Sequence, residues 1–292
     1  MSGFADMSFV GVDPLQVLPN TVELANLVGV ELSETPTSEQ LDELVEAFGK
    51  NRAYDHNVSP LAQALGIDNG LPPKHVLDLM EAGAKLLLTE FAPRNIFGDR
   101  LPDDSAVLAW ITAGTANWSA RRVNLLKKTV AAHNLGLIDI VATGTTRLCN
   151  LPTEQHMSGQ TTEIDHLCNL LDAAGDPLKS KHSGYPSNDE TWSMAQQAER
   201  LAGYPYRPFN KLSQYDLLVP VNAGALNVPL ELVTVFSRRV PGFNPARLYF
   251  TQDPFELATT SEQLEDRTTY QNPWTLFSAW GRLVKAVHEL NQ

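Results

Sequence analysis

The chain has 292 residues, with 22 Lys+Arg against 34 Asp+Glu and a formal net charge of −12. This acidic balance argues against a broad nucleic-acid or anionic-membrane surface, because both need an excess of Lys and Arg. No apolar run approaches the roughly 20 residues of a membrane-spanning helix. The start of the chain carries Asp6 where a signal peptide has basic residues. We therefore expect a cytoplasmic protein with no nucleic-acid and no membrane partner.

The first hundred residues have a helical, strand-poor pattern. Apolar residues recur at helical spacing, and Pro and Gly mark helix starts and ends. The expectation is a helical region, 1–100, packed on a core formed by 101–292. The predicted helices of this region are 21–30, 38–49, 60–66 and 72–88.

After Pro102 short apolar runs alternate with helical segments. This alternation is typical of βα units and predicts an α/β fold, a Rossmann-like, doubly wound and mainly parallel sheet. The predicted strands are 106–111, 137–142, 216–221 and 247–251. The predicted helices are 119–131, 162–174, 189–201, 229–239 and 273–290.

Three of the strands are followed by loops of small and hydroxyl residues, namely 112–118, 142–147 and 221–225. Ligands of open α/β sheets bind beyond the carboxyl ends of the strands. Glycine lets backbone N–H groups approach an anion, and threonine adds a donor. These loops are candidate binding sites for a small anionic ligand, or else ordinary tight turns. The candidate residues are Gly114, Thr115, Thr143, Gly144, Thr145, Thr146, Arg147 and Asn222.

Glu163 is the candidate catalytic residue. It stands in the first turn of a predicted helix that Thr161 or Thr162 caps. One interpretation is a well-capped helix start, with the carboxylate at the positive end of the dipole. The other has Glu163 facing the crevice, where it binds a ribose hydroxyl or acts as a general base. Thr162 and Thr191 are counted among the ligand-binding candidates.

Common sequence motifs for nucleotide binding and hydrolysis do not occur. The chain has no G-x-G-x-x-G, no G-x-x-x-x-G-K-[ST] and no G-x-S-x-G. His156, His166 and Cys168 do not fit a usual zinc spacing, so we expect no metal. The cofactor stays unknown, and a nucleoside-type ligand stays open.

The order of short motifs along the sheet region resembles a known family. A strand with a Gly-containing loop, 106–114, is followed by a strand ending in Ala-Thr-Gly-Thr, 138–145. Thr162-Glu163 is similar to a Ser-Glu helix start. Glu190–Ala195 keeps the Thr and Ala of an Asn-Thr-x-Glu-Asn-Ala start, and another strand and loop follow at 217–223.

Over about residues 102–252, this order resembles the DUF218 family of YdcF-, SanA- and ElyC-like proteins. The resemblance implies a Rossmann-like ligand-binding fold, in a family without a settled reaction. Separately, Ala142–Thr146 resembles the phosphate-binding turn of methylglyoxal synthase-like domains, which supports anion binding rather than that reaction.

Two functions follow as hypotheses. The first is a protein that binds a phosphate- or nucleotide-bearing small molecule at the carboxyl ends of the strands, with or without turning it over. The alternative is a non-catalytic interaction or regulatory protein that retains the fold, favoured by the lack of a complete catalytic constellation.

Overall fold

The computed structural model divides the chain into two compact units. The first, called here the α/β unit, comprises 1–6, 95–222 and 231–253, and the second, the helical unit, comprises 7–94, 223–230 and 254–292. This division differs from the predicted one because the C-terminal segment groups with the N-terminal helices. The residues that the structure describes are 15, 20–50, 71, 73–79, 106–133, 135–149, 161–187, 194–221, 227–244, 247–252, 256–265, 270–271 and 273–292.

The main elements are numbered in chain order. The strands are β1 Val107–Thr112, β2 Leu137–Thr145, β3 His182–Ser187, β4 Asp216–Val221, β5 Leu248–Gln252, β6 Glu256–Leu257 and β7 Tyr270–Gln271. The helices are α1 Thr21–Leu27, α2 Ser38–Lys50, α3 Ala116–His133, α4 Glu163–Ala173, α5 Leu178–Lys181, α6 Met194–Ala202, α7 Asn227–Arg239, α8 Ser261–Glu265 and α9 Pro273–Leu290, with a 3₁₀-helix at Phe209–Gln214. Residues 74–79 are helical within the predicted 72–88, while the predicted helix 60–66 lies outside the described residues.

The α/β unit is built on a five-stranded parallel sheet with strand order β3-β2-β1-β4-β5. On one face, alternate residues of β1, such as Ala109, share a core with Leu126 of α3 and Leu167 of α4. On the other face, Trp110 contacts Phe209 and Phe236, with ring centroids 6.2 and 5.4 Å apart. Helices therefore cover both faces, as in a doubly wound fold. The predicted fold class is confirmed.

The β2–β3 pair is the main departure from the predicted strands. β3 was not predicted, because His-Ser-Gly-Tyr-Pro-Ser has no apolar run and contains a proline. Such a sequence is tolerated at a sheet edge, and among the described residues β3 pairs with β2 alone. Its last residues pair with Thr143, Gly144 and Thr145. These three therefore extend β2 instead of forming a loop.

In the helical unit, α9 packs on α2. A Cβ on Gly281 of α9 would lie 3.1 Å from Cδ2 of Phe48 and 3.3 Å from Cα of Val45, so the backbones approach closely here. Lys285 forms an ion pair with Asp42. Burial lowers the pKa of Lys285, but its contacts with Asp42 and Glu289 together outweigh this, and the net shift is upward. These contacts explain why the C-terminal helix belongs with the N-terminal ones.

Candidate functional site

The loop after β1 is short and tightly fixed. Helix α3 begins at Ala116, three residues earlier than predicted. The backbone N–H of Gly114 donates to Oγ of Ser119 over 3.1 Å, and the Ser119 hydroxyl donates to the Gly114 carbonyl over 3.2 Å. The N–H groups of a first helical turn have no acceptor within their own helix. Helix α3 starts at the carboxyl end of β1, just after Thr115, so the positive end of its dipole lies there. The first turn of α3 holds no acidic side chain that would offset this charge.

Arg122 lies beside this loop and is only 4% exposed. Its Nη1 donates to the carbonyl and the hydroxyl of Thr112 over 2.6 and 2.5 Å, and to the carbonyl of Ala113 over 3.2 Å. The oxygens at the end of β1 satisfy the buried guanidinium. A fixed positive charge therefore lies at the end of β1.

Thr143 and Gly144 of β2 pack against β1 and the residue after it, inside the α/β unit. Thr143 has no exposed surface, and its hydroxyl accepts from Nε1 of Trp110 over 3.2 Å. A Cβ on Gly144 would lie 2.4 Å from the Cβ of Ala113, so only glycine permits this approach. The structure thus gives Thr143 and Gly144 packing roles and does not place them on the ligand-accessible edge.

In the turn after β2, the backbone amides form hydrogen bonds within the protein. The N–H of Thr146 donates to the carbonyl of Ser187 over 3.0 Å. The N–H of Arg147 donates to Oγ1 of Thr145 over 3.4 Å, and the Arg147 carbonyl accepts from the N–H of Glu163 over 2.8 Å. These two amides are therefore occupied within the protein. The exposed side chains of Thr146 and Arg147 stay candidates for ligand contact.

Helix α4 begins with a capping box formed by Thr162 and Asp165. The N–H of Asp165 donates to Oγ1 of Thr162 over 3.2 Å, and the N–H of Thr162 donates to Oδ2 of Asp165 over 3.3 Å. Because Asp165 supplies the acidic partner of the cap, the carboxylate of Glu163 is available for other contacts. Its Oε2 accepts from Oγ1 of Thr145 over 3.0 Å. The interpretation as a well-capped helix start therefore describes this segment, with Thr162 as the cap, while the role of Glu163 towards a ligand stays a prediction.

His166 is the group at this edge that the sequence analysis treated only as a metal ligand. It stands three residues after Glu163, a spacing that places two side chains on one helix face. Burial lowers the pKa of His166, and a hydrogen bond with the backbone of Ala116 partly offsets this. Burial therefore favours the neutral form of the ring more than in a free histidine. The Glu-x-x-His spacing is the signal that identifies the pair.

Two separate contacts lie at the carboxyl edge of β1 and β2. His166 bonds to the backbone of Ala116, and Glu163 accepts from Thr145. The start of α3, the imidazole and the carboxylate thus belong to elements that meet at this edge, with the two side chains three residues apart on α4. This arrangement suits the binding of a polar ligand and proton transfer to or from it.

Two predicted site residues, Thr191 and Asn222, lie outside the described residues. Within the described part of the chain, no three His, Cys, Asp or Glu side chains are grouped to hold a metal ion. In the same part, no helix combines the length and apolar character needed to cross a membrane.

Comparisons with protein-family models, with curated proteins and with solved structures found no match for this chain.

Proposed function

We propose that the α/β unit binds a phosphate- or nucleotide-bearing small molecule at the carboxyl ends of β1 and β2. The observation that carries the proposal is the Glu163 carboxylate, held by Thr145 at the end of β2 and one turn from His166. Glu163 accepts hydrogen bonds from the ligand or acts as a general base. The order of motifs leads us to propose a relation to the DUF218 family as well.

The strand order supports this location. β1 lies between β2 and β4, so the chain turns to opposite sides of the sheet at β1. In open α/β sheets, ligands bind in the crevice outside the carboxyl ends of the strands at this kind of switch point. The loop of Thr115 and the first turn of α3 stand at this end of β1.

The charges of the edge support an anionic ligand despite the net charge of −12. The first turn of α3 contributes backbone donors and the positive end of a dipole. The buried Arg122 contributes a full positive charge beside Gly114. Attraction for a phosphate therefore comes from local donors rather than from the overall charge.

Thermal unfolding of the full chain with a panel of nucleotides and sugar phosphates tests the proposal. At least one compound is expected to raise Tm by several degrees, since a ligand that binds only the folded state stabilises it. Glu163→Gln should reduce that shift. Glu199→Gln, which changes a half-exposed carboxylate of α6, should leave it unchanged.

A panel that raises Tm in no case would refute the proposal and favour the alternative, a non-catalytic interaction protein. A shift that Glu163→Gln and Glu199→Gln both leave intact would place binding elsewhere. Gly144→Ala is unsuitable as a binding variant, because its Cβ would displace Ala113 and disturb the fold.

A further inference from the structure

Arg147 and Glu163 lie directly opposite each other where the turn after β2 meets the start of α4. Leu148 and Thr162 form an antiparallel bridge, which sets the residue before Leu148 against the residue after Thr162. The N–H of Glu163 accordingly donates to the carbonyl of Arg147 over 2.8 Å. Residues directly opposite in an antiparallel pair have Cβ atoms about 5 Å apart. A cationic and an anionic side chain therefore start from neighbouring positions.

These two side chains do not neutralise each other. The carboxylate of Glu163 accepts instead from Oγ1 of Thr145, over 3.0 Å, and Oγ1 also accepts from the N–H of Arg147 over 3.4 Å. Within the described part of the chain, neither Arg147 nor Glu163 forms an ion pair. The Arg147 side chain is exposed, and that of Glu163 is half-buried. One positive and one negative group are thus available to a ligand beyond the end of β2.

The paired charges make a ligand with only a phosphate a poor fit. The guanidinium of Arg147 can bind a phosphate through two parallel N–H bonds. The carboxylate of Glu163 repels that phosphate, and Asp165 adds a second carboxylate to the same helical turn. A ligand hydroxyl can donate to Glu163 but brings no charge against this repulsion, whereas a ligand ammonium group brings both a donor and a positive charge. The charge pattern is therefore complementary to a ligand that carries a phosphate and an amine.

We infer that the ligand is an amino-phosphate, a phosphate ester that also carries a primary amine, whose phosphate binds Arg147 and whose ammonium group binds Glu163. This inference rests on the proposed function and narrows it to one substrate class, which includes the phosphates of amino sugars. Arg147 then selects for the anion, and Glu163 distinguishes an amine from a hydroxyl.

Calorimetric titration of the full chain tests the inference with two matched pairs of compounds. The pairs are glucosamine 6-phosphate with glucose 6-phosphate, and phosphoethanolamine with 2-hydroxyethyl phosphate. Within each pair, a hydroxyl replaces the amine and the phosphate is unchanged. In at least one pair, the amine should bind about tenfold more tightly or better, because it forms a charge-assisted hydrogen bond with the carboxylate.

Variants of the two residues separate the two halves of the ligand. Glu163→Gln keeps an acceptor for Thr145 and should bring the ratio of affinities within the pair towards one. Arg147→Gln should weaken both members of the pair by a similar factor. Lys127→Gln is the control, since it removes an exposed positive charge about 16 Å along α3 from the carboxyl end of β1, and it should leave both affinities at their wild-type values.

The result that would overturn the inference is an equal affinity within every pair that binds, a ratio unaltered by Glu163→Gln, or wild-type affinities in Arg147→Gln. Each of these leaves the proposed function standing, because a phosphate compound still binds. Binding by none of the four compounds would overturn the inference as well, and the thermal unfolding panel of nucleotides and sugar phosphates then decides whether the proposed function stands.

Discussion

The hydroxyl of Thr145 donates to Oε2 of Glu163 over 3.0 Å and so joins the last residue of β2 to the first turn of α4. A second bond, from the N–H of Glu163 to the carbonyl of Arg147 over 2.8 Å, holds the same turn. The carboxylate is therefore fixed at the sheet edge from both its backbone and its side chain. Fixed polar groups of this kind are what a binding site needs before its ligand arrives.

Thr145→Val should lower the free energy of unfolding by about 1–2 kcal/mol, because it removes the bond to the Glu163 carboxylate and the longer bond from the N–H of Arg147. Thr145→Ser keeps the hydroxyl and is the matched control, with an expected loss of less than half of that. Urea unfolding monitored by fluorescence provides the measurement. Equal stability of the Val and Ser variants would show that the bond contributes nothing to holding α4.

Gly144→Ala should destabilise the α/β unit by about 1–3 kcal/mol, the usual cost of overpacking. The added Cβ would lie 2.4 Å from the Cβ of Ala113, the residue that follows β1. Combining it with Ala113→Gly removes the clashing methyl and should recover much of the loss. Urea midpoints of the two single variants and the double variant test this. A Gly144→Ala variant as stable as the wild type would contradict the close approach of β1 and β2.

His166 should make stability fall as the solution is acidified. Burial holds the pKa of its ring below the ordinary value of 6.5, so the unfolded chain takes up the proton first. The contribution is present above pH 6.5 and is lost as pH falls through the lower pKa of the folded protein. Between about pH 7.5 and pH 5, Tm of the wild type should fall further than that of His166→Gln. Parallel pH profiles for the two proteins would contradict the assignment.

Asp139 should make stability change with pH in the opposite direction from His166. Burial raises the pKa of its carboxyl, although the N–H of Ile140 and the charges of Lys181 and His182 oppose the rise. The ionised form is therefore disfavoured, and stability is lost as pH rises through the folded pKa. Asp139→Asn, whose Oδ1 can still accept from Ile140, should raise Tm at about pH 7 and make no difference well below the ordinary pKa of 3.8. A lower Tm at neutral pH would show that attraction to Lys181 outweighs burial.

The sequence was sufficient to predict the strands that contain a continuous run of apolar residues. β1 and β4 are buried on both faces and appear as continuous hydrophobic runs. β3 carries polar residues and Pro186, which an edge position tolerates, so no local pattern indicates it. The end of β2 is equally hard to predict, because Gly144 and Thr145 pair with β3, while Thr143 pairs with both β1 and β3.

For the candidate site as well, the sequence predicts only the residues that a local pattern marks. Glu163 and Thr145 are near a strand end and a helix start, and both positions are visible as local patterns. Arg122 and His166 were not assigned to the site, because their roles depend on contacts with Thr112 and Ala116. Such contacts follow from the packing of α3 and α4 on one sheet face, which no single segment of sequence encodes.

The most direct test of the central claim is a crystal structure of the full chain with the nucleotide or sugar phosphate that raises Tm most. The account predicts ligand density at the carboxyl ends of β1 and β2, with a polar group of the ligand within hydrogen-bond distance of the Glu163 carboxylate. A ligand bound away from this edge, or crystals with no ligand at concentrations that saturate binding in solution, would contradict it.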